Sequence, residues 1–240
     1  MADNAIIRCF LSHPWAGHIH HFALRLTSSL RQRKFIIWID EEQMLPGQTI
    51  ELRQINGIVY ETDIFIFVLA PETLRSANCM EELHVALANG KPIICVNLET
   101  CAVPIELRKS LLVDFSSPAF YEASVNKLVE GAGKLGERYK IIQLLSDDNP
   151  EFRSEAARIL GDLHDPTNIR LILAKASLER DDSVIYWLLV SLGTLFEGET
   201  EDGVQVLELL DHFDKTGSPL VRQGVFDAKK KINEGIDGTS

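Results

Sequence analysis

Two glutamates stand side by side, Glu81 and Glu82, eleven residues beyond a seven-residue apolar run at positions 64–70. An ionised carboxylate so placed could steady positive charge that develops on a bound molecule, or grip its hydroxyls. The run is rich in β-branched and aromatic residues and has no polar alternation. It reads as a strand buried on both faces, as in a parallel sheet. The segment after it lies at the carboxyl end of that strand, where open α/β sheets bind ligands. A helix then opens on the two acids. Asn78 as N-cap puts Glu81 at the third helical position, where it closes a capping box and suits the helix dipole. Glu82 is open to two readings, a first-turn acid or a catalytic one.

Other side chains compete for a chemical role. His13, His18, His20 and His21 cluster near an early loop, but His20 and His21 are neighbours on a helix and cannot share a face. Solvent exposure is the better reading for this cluster, and no metal is expected. The four cysteines, Cys9, Cys79, Cys95 and Cys101, form no CxxC pair, which points away from zinc and redox chemistry. Cys9 and Cys95 fall inside predicted strands as small buried hydrophobes. Trp38, within an apolar strand, reads as core. Trp15 lies in a loop, where its ring could stack on a ligand.

The elements that must position these groups alternate. Strands are predicted at residues 6–11, 35–39, 64–70, 92–96 and 111–115. Helical spacing is seen from Ile19 to Leu30, over 50–60, after Ser76, and over 119–135. Loops fall at 12–17 and 40–49, and the helix after Ser76 ends at Asn89-Gly90, a left-handed cap. Strands alternating with helices imply βαβ units with right-handed crossovers. The expectation is a flavodoxin-like five-stranded parallel sheet, an α/β domain over residues 1–137.

From Tyr139 onward no further strand is convincing. A phrase recurs instead, with Phe152, Val184 and Val221 at equivalent places 32 and 37 residues apart. Each starts with a polar cap, and Pro150 and Pro219 sit in first turns. Gly161 and Gly193 supply close packing. Such periods signal a helical solenoid, so residues 138–240 are expected to form an all-α repeat domain.

The 240-residue chain carries a net charge of −11. Residues 1–140 hold 14 Lys and Arg against 16 Asp and Glu, and the rest 10 against 19. An acidic second half argues against nucleic acid as a partner. No apolar run approaches the roughly 20 residues of a membrane helix. The opening MADNAIIRCF lacks a basic start and apolar core, so a cytoplasmic protein is expected.

Four segments resemble the Toll/interleukin-1 receptor (TIR) domain over about residues 5–135. FLSHPW stands where the family has a strand ending in F-I-S-x. WIDEEQMLPGQTI resembles the family's W-x-D-x-x-x-L-x-P-G-x-x-I loop, with Met44 for the usual Leu. IFIFVLAPETLRS resembles its third strand and serine-bearing loop. SANCMEEL resembles S-x-W-C-x-x-E-L, with Asn78 for the frequent Trp. The second half resembles HEAT repeats.

The resemblance implies one of two activities. Many TIR domains cleave the nicotinamide–ribose bond of NAD+, giving linear or cyclic ADP-ribose; others are adaptors that only self-associate. In the enzymes the Glu of C-x-x-E-L is catalytic, which maps to Glu82. Around it the resemblance implies a substrate site of His13, Trp15, Asp40, Leu45, Pro46, Gly47, Ser76 and Cys79. Bland readings stand beside these: Pro46-Gly47 make a turn, Asp40 caps its loop, and Ser76 is a local cap or a ribose partner. NAD+ is then the substrate and no cofactor is needed. Self-association through TIR domains is implied, with bacterial immune defence as the setting. A protein or ligand partner is implied for the repeats.

Overall fold

The structure, a computed structural model, describes residues 6–39, 62–198 and 200–237. The loop and helix expected at 40–49 and 50–60 lie outside the described residues. The chain divides into two compact units, Met1–Tyr139 and Lys140–Ser240.

The first unit is built on one sheet. Its strands are β1 (Arg8–Ser12), β2 (Ile36–Trp38), β3 (Ile64–Leu69), β4 (Ile93–Asn97) and β5 (Leu111–Asp114). All neighbouring pairs are parallel, in the order β2-β1-β3-β4-β5. This is the flavodoxin-like order, whose switch point lies between β1 and β3. Every residue of β3 is buried, as its unbroken apolar run requires. Alternate side chains serve opposite layers. Ile64, Ile66 and Val68 pack with the helices α1 (Gly17–Arg31) and α4 (Tyr121–Leu144), through Leu26 and Leu128 among others. Phe65, Phe67 and Leu69 face the helix α3 (Ala77–Ala88), through Cys79, Leu83 and Ala86. The rings of Phe10 and Phe65 stack at 5.7 Å on that side.

Two elements differ from expectation. The segment after β3 is not all loop: Pro71–Arg75 forms a short helix, α2, with Pro71 in its first turn. The closing helix α4 does not stop near residue 135 but continues to Leu144, so the division between units falls inside it. The cap at the end of α3 is as expected. Gly90 has φ +63°, its N–H donates to Leu87 O, and the Lys91 N–H donates to Ala86 O. These two bonds make a Schellman motif.

The second unit is helical among the described residues. It comprises α5 (Pro150–Asp162), α6 (Ile169–Ala176), α7 (Asp182–Leu195), α8 (Glu201–Thr216) and α9 (Pro219–Asp237). The recurring phrase marks helix starts. Asn149 caps α5, Asp181 caps α7, and Ser218 accepts from the Val221 N–H at the start of α9. α7 packs against both α5 and α9, an arrangement consistent with stacked repeats. A Cβ on Gly161 would lie 2.8 Å from Ser191 Cβ, so α5 and α7 touch closely there. Ser191 Oγ also donates to Ala157 O at 2.8 Å.

Arg153 ties this unit's first turns together. Its guanidinium donates to both Glu179 carboxylate oxygens, at 2.9 and 3.0 Å, and to the carbonyls of Asp147 and Asp148. Burial pushes the Glu179 carboxyl up, but bonds from Arg153 and from the N–H groups of Asp181 and Arg180 outweigh it and hold it below the usual range. A carboxyl lowered on folding adds stability that is present above its unfolded pKa, about 4.3, and is lost as pH falls through the folded value. Glu179→Gln is therefore expected to cost roughly 1–3 kcal/mol at neutral pH. Denaturant unfolding at pH 7 and pH 3 checks this; the difference from wild type should shrink at the lower pH.

Candidate active site at the carboxyl edge of the sheet

The helix α3 carries the two glutamates, and its first turn decides which of them turns inward. Ser76 is the N-cap, its Oγ accepting from the Cys79 N–H at 3.4 Å. Asn78 is therefore inside the helix and exposed, and the capping-box reading of Glu81 is corrected. Both residues are good caps, but α2 ends at Arg75 and leaves Ser76 in extended backbone. Cys79, Glu82, Leu83 and Ala86 then share the buried face, the i, i+3, i+4, i+7 stripe. Glu81 points to solvent. Glu82 is 7% exposed, an acid where the stripe calls for an apolar side chain.

A buried carboxylate needs hydrogen-bond donors. Ser12, the last residue of β1 and 1% exposed, donates its Oγ–H to Glu82 Oε2 at 2.6 Å. Ser12 has the same parity along β1 as Phe10, which packs on the α3 side, so period-two alternation aims its hydroxyl at the helix. Sequence reasoning did not single out Ser12. Its parity with Phe10 was the available signal.

The next residues build an aromatic platform. His13 is 5% exposed, and its Nε2 lies 3.0 Å from His20 Nδ1. The rings of His13 and His20 stack at 5.3 Å, and Trp15 stacks on His20 at 5.1 Å. Trp15 is 56% exposed, so one ring of the platform faces solvent. The expectation that these histidines are all exposed is corrected for His13; His18 and His21 are exposed, and His18 pairs with Glu99. His20, which contacts both other rings, is half-buried, so the exposed reading is corrected for it too. The signal for its burial was the place one helical turn inside α1, beside the loop of His13 and Trp15.

The remaining candidates are more scattered. Cys79 is buried in the apolar layer between α3 and the sheet, and Ser76 is half-buried at the helix start. Asp40, Leu45, Pro46 and Gly47 lie outside the described residues. Trp38 packs against the layer that contains Phe65 and Cys79, in keeping with a core role. Burial pushes the Cys95 thiol up to about 11 despite a bond from Ser110, so it stays protonated as a small hydrophobe. Among the described residues no group of three or more His, Cys, Asp or Glu could hold a metal ion. Among them, too, no helix is long and apolar enough to cross a membrane.

The chemistry open to this arrangement stems from its burial. A carboxylate taken out of water acts on nearby positive charge far more strongly than an exposed one. It stands at the β1/β3 switch point of a parallel sheet, so the unit is a flavodoxin-like α/β domain with one buried acid at its carboxyl edge. A family model described as a TIR domain matches residues 9–129, and the chain belongs to the TIR-domain family. The resemblance drawn from four sequence segments is therefore correct as to family. The chain is also similar to the TIR domain of the Toll-related receptor TRR-2 from Hydra magnipapillata. That match has 16% identity and a TM-score of 0.45, covering 52% of this chain and 96% of that one. No curated protein matches the chain.

Proposed function

We propose that the protein is an NAD+ glycohydrolase with Glu82 as its catalytic residue. The observation that carries the reading is the contrast between two adjacent acids: Glu81 lies in solvent, while Glu82 is buried and held by Ser12 at the switch point. In the reaction the bond between nicotinamide nitrogen and ribose carbon breaks. Its electron pair leaves with nicotinamide, which departs neutral and needs no proton. The ribose becomes oxocarbenium-like, and Glu82 steadies that charge. Water then attacks, giving ADP-ribose and a proton; attack instead by a nucleophilic atom of the same ADP-ribosyl group, with loss of a proton, closes a cyclic ADP-ribose that lacks that water. One carboxylate suffices, because no leaving group requires an acid. Trp15 offers a stacking surface for a flat ring. The helical unit, read as HEAT-like repeats, supplies assembly or senses a trigger through a protein or ligand partner, in a setting of bacterial defence.

The test is incubation of the purified protein with NAD+ and chromatography of the products. Nicotinamide and ADP-ribose, linear or cyclic, are expected; NAD+ left intact at every protein concentration overturns the reading. Self-association is part of it. Activity per molecule is expected to rise with protein concentration, and a strictly linear dependence across the oligomerisation range counts against assembly.

A second reading, a TIR adaptor without catalysis, has its own support. Ile105, Leu112 and Phe120 are large apolar side chains left exposed in and around the edge strand β5. Among the described residues β5 is an edge strand, and exposed apolar surface beside such an edge favours association with another protein. Stable co-purification of a partner, with no NAD+ turnover, is its expected outcome.

A further inference from the structure

We propose that Ser12 is a positioning residue for Glu82, whose hydroxyl keeps the carboxylate ionised and fixed at the end of β1. The catalytic meaning of this inference rests on the proposed NAD+ cleavage, but the contact does not. Ser12 and Glu82 are 70 residues apart and belong to different elements, and their side chains are both more than nine-tenths buried. Along β1, Cys9, Phe10 and Leu11 are apolar and buried, so a fourth apolar residue would suit the core at position 12. A hydroxyl there has the polar head of Glu82 as its partner, at 2.6 Å. An O–H donated to an anion at this distance is a charge-assisted bond. It stabilises the ionised form over the neutral one and therefore lowers the carboxyl's pKa relative to the same site without the hydroxyl.

The bond also fixes geometry. β1 is held on both sides, by β2 and by β3, with Ser12 in register with Phe67. A carboxylate tied to that strand end cannot swing freely with α3. Orientation of this kind matters because displacement of a reacting group by about 1 Å can lower the rate about a hundredfold. Among the described residues, the titratable groups on the elements around the site are Arg8 and Cys9 on β1, His13 after it with His20 of α1 against it, Glu72 and Arg75 on α2, and Cys79, Glu81 and His84 on α3; β3 carries none. All stay in place when only residue 12 is changed, so the comparison isolates the hydroxyl.

The experiment uses the full chain in three forms: wild type, Ser12→Ala and Ser12→Thr. Glutamate carboxyl carbons are labelled with 13C and titrated by NMR, the Glu82 signal being assigned by its loss in Glu82→Gln. Nicotinamide release is followed over the same pH range. In Ser12→Ala the Glu82 midpoint is expected to move up by about one unit or more. The acid limb of kcat should move with it, and kcat at neutral pH should fall about ten- to a hundredfold with a smaller change in KM. Ser12→Thr, which keeps the hydroxyl, should restore both. A Glu82 midpoint unchanged in Ser12→Ala overturns the inference, whatever the activity. A moved midpoint in a protein that never releases nicotinamide leaves the ionisation role standing and overturns the proposed function instead. Should Ser12→Ala fail to fold, Ser12→Cys, a near-isostere with a weak donor, is titrated in its place, with a smaller upward move expected and no move overturning the inference.

Discussion

Glu82→Gln is expected to lower nicotinamide release from NAD+ by about a thousandfold, or ~4 kcal/mol of transition-state stabilisation. The substitution removes the negative charge but keeps the shape, and the amide oxygen can still accept from Ser12. The fold should therefore survive, and its melting temperature should change little, because a buried charge has been removed along with its solvation penalty. Glu81→Gln is the paired control. Glu81 lies in solvent on the same helix, so its loss should leave the rate within about twofold of wild type, since an exposed charge is weak in water. The two variants together separate a catalytic acid from a generally acidic surface. Equal losses in both would transfer the effect to the local field. Near-full activity in Glu82→Gln would remove the acid from the mechanism.

The second large effect belongs to the helical unit. Gly193→Ala is expected to destabilise it by about 2–3 kcal/mol, with a fall in Tm of the order of 10 °C. A Cβ at Gly193 would lie 2.5 Å from Ala228 O, 2.6 Å from its Cα and 2.9 Å from its carbonyl carbon. These are backbone atoms, so no rotamer change relieves the clash, and α7 must draw away from α9. Gly133→Ala in α4 is the control of opposite sign. Nothing lies within 4 Å of its added Cβ, and alanine favours a helix over glycine by about 1 kcal/mol. Thermal melts followed by circular dichroism check both. A Gly193→Ala protein that melts with wild type would mean that α7 and α9 are less closely packed than described.

Much of this architecture is legible in the sequence, for identifiable reasons. β3 is plain because a strand covered on both faces cannot alternate, and its unbroken apolar run has no other use at that length. The starts of α5, α7 and α9 are plain because caps are local chemistry. The end of α4 is harder to place because Gly131, Gly133 and Gly136 weaken its helical signal just before the expected division. Two of them are instead places of close approach: the Leu111 side chain lies over Gly131 and Ile7 over Gly136. α2 escapes notice because five residues opening on Pro carry no helical period. At the site, the acid pair is visible, but the choice of cap between Ser76 and Asn78 depends on where α2 ends. Ser12 is hidden because its partner lies 70 residues away, and only strand parity connects them.

The sheet's central strand also sets how the protein fails. IFIFVL is uncharged, free of proline and rich in β-formers, the composition of a segment that self-stacks into cross-β fibres. Native β1 and β4 occupy both its edges, so in the folded state it has no edge to offer. Both neighbours are supplied by distant stretches of chain, so heat that frees it does so before either can return. Prolonged heating without denaturant should consequently end in insoluble aggregate, and shelf life will be governed by the rate of unfolding, not by its equilibrium.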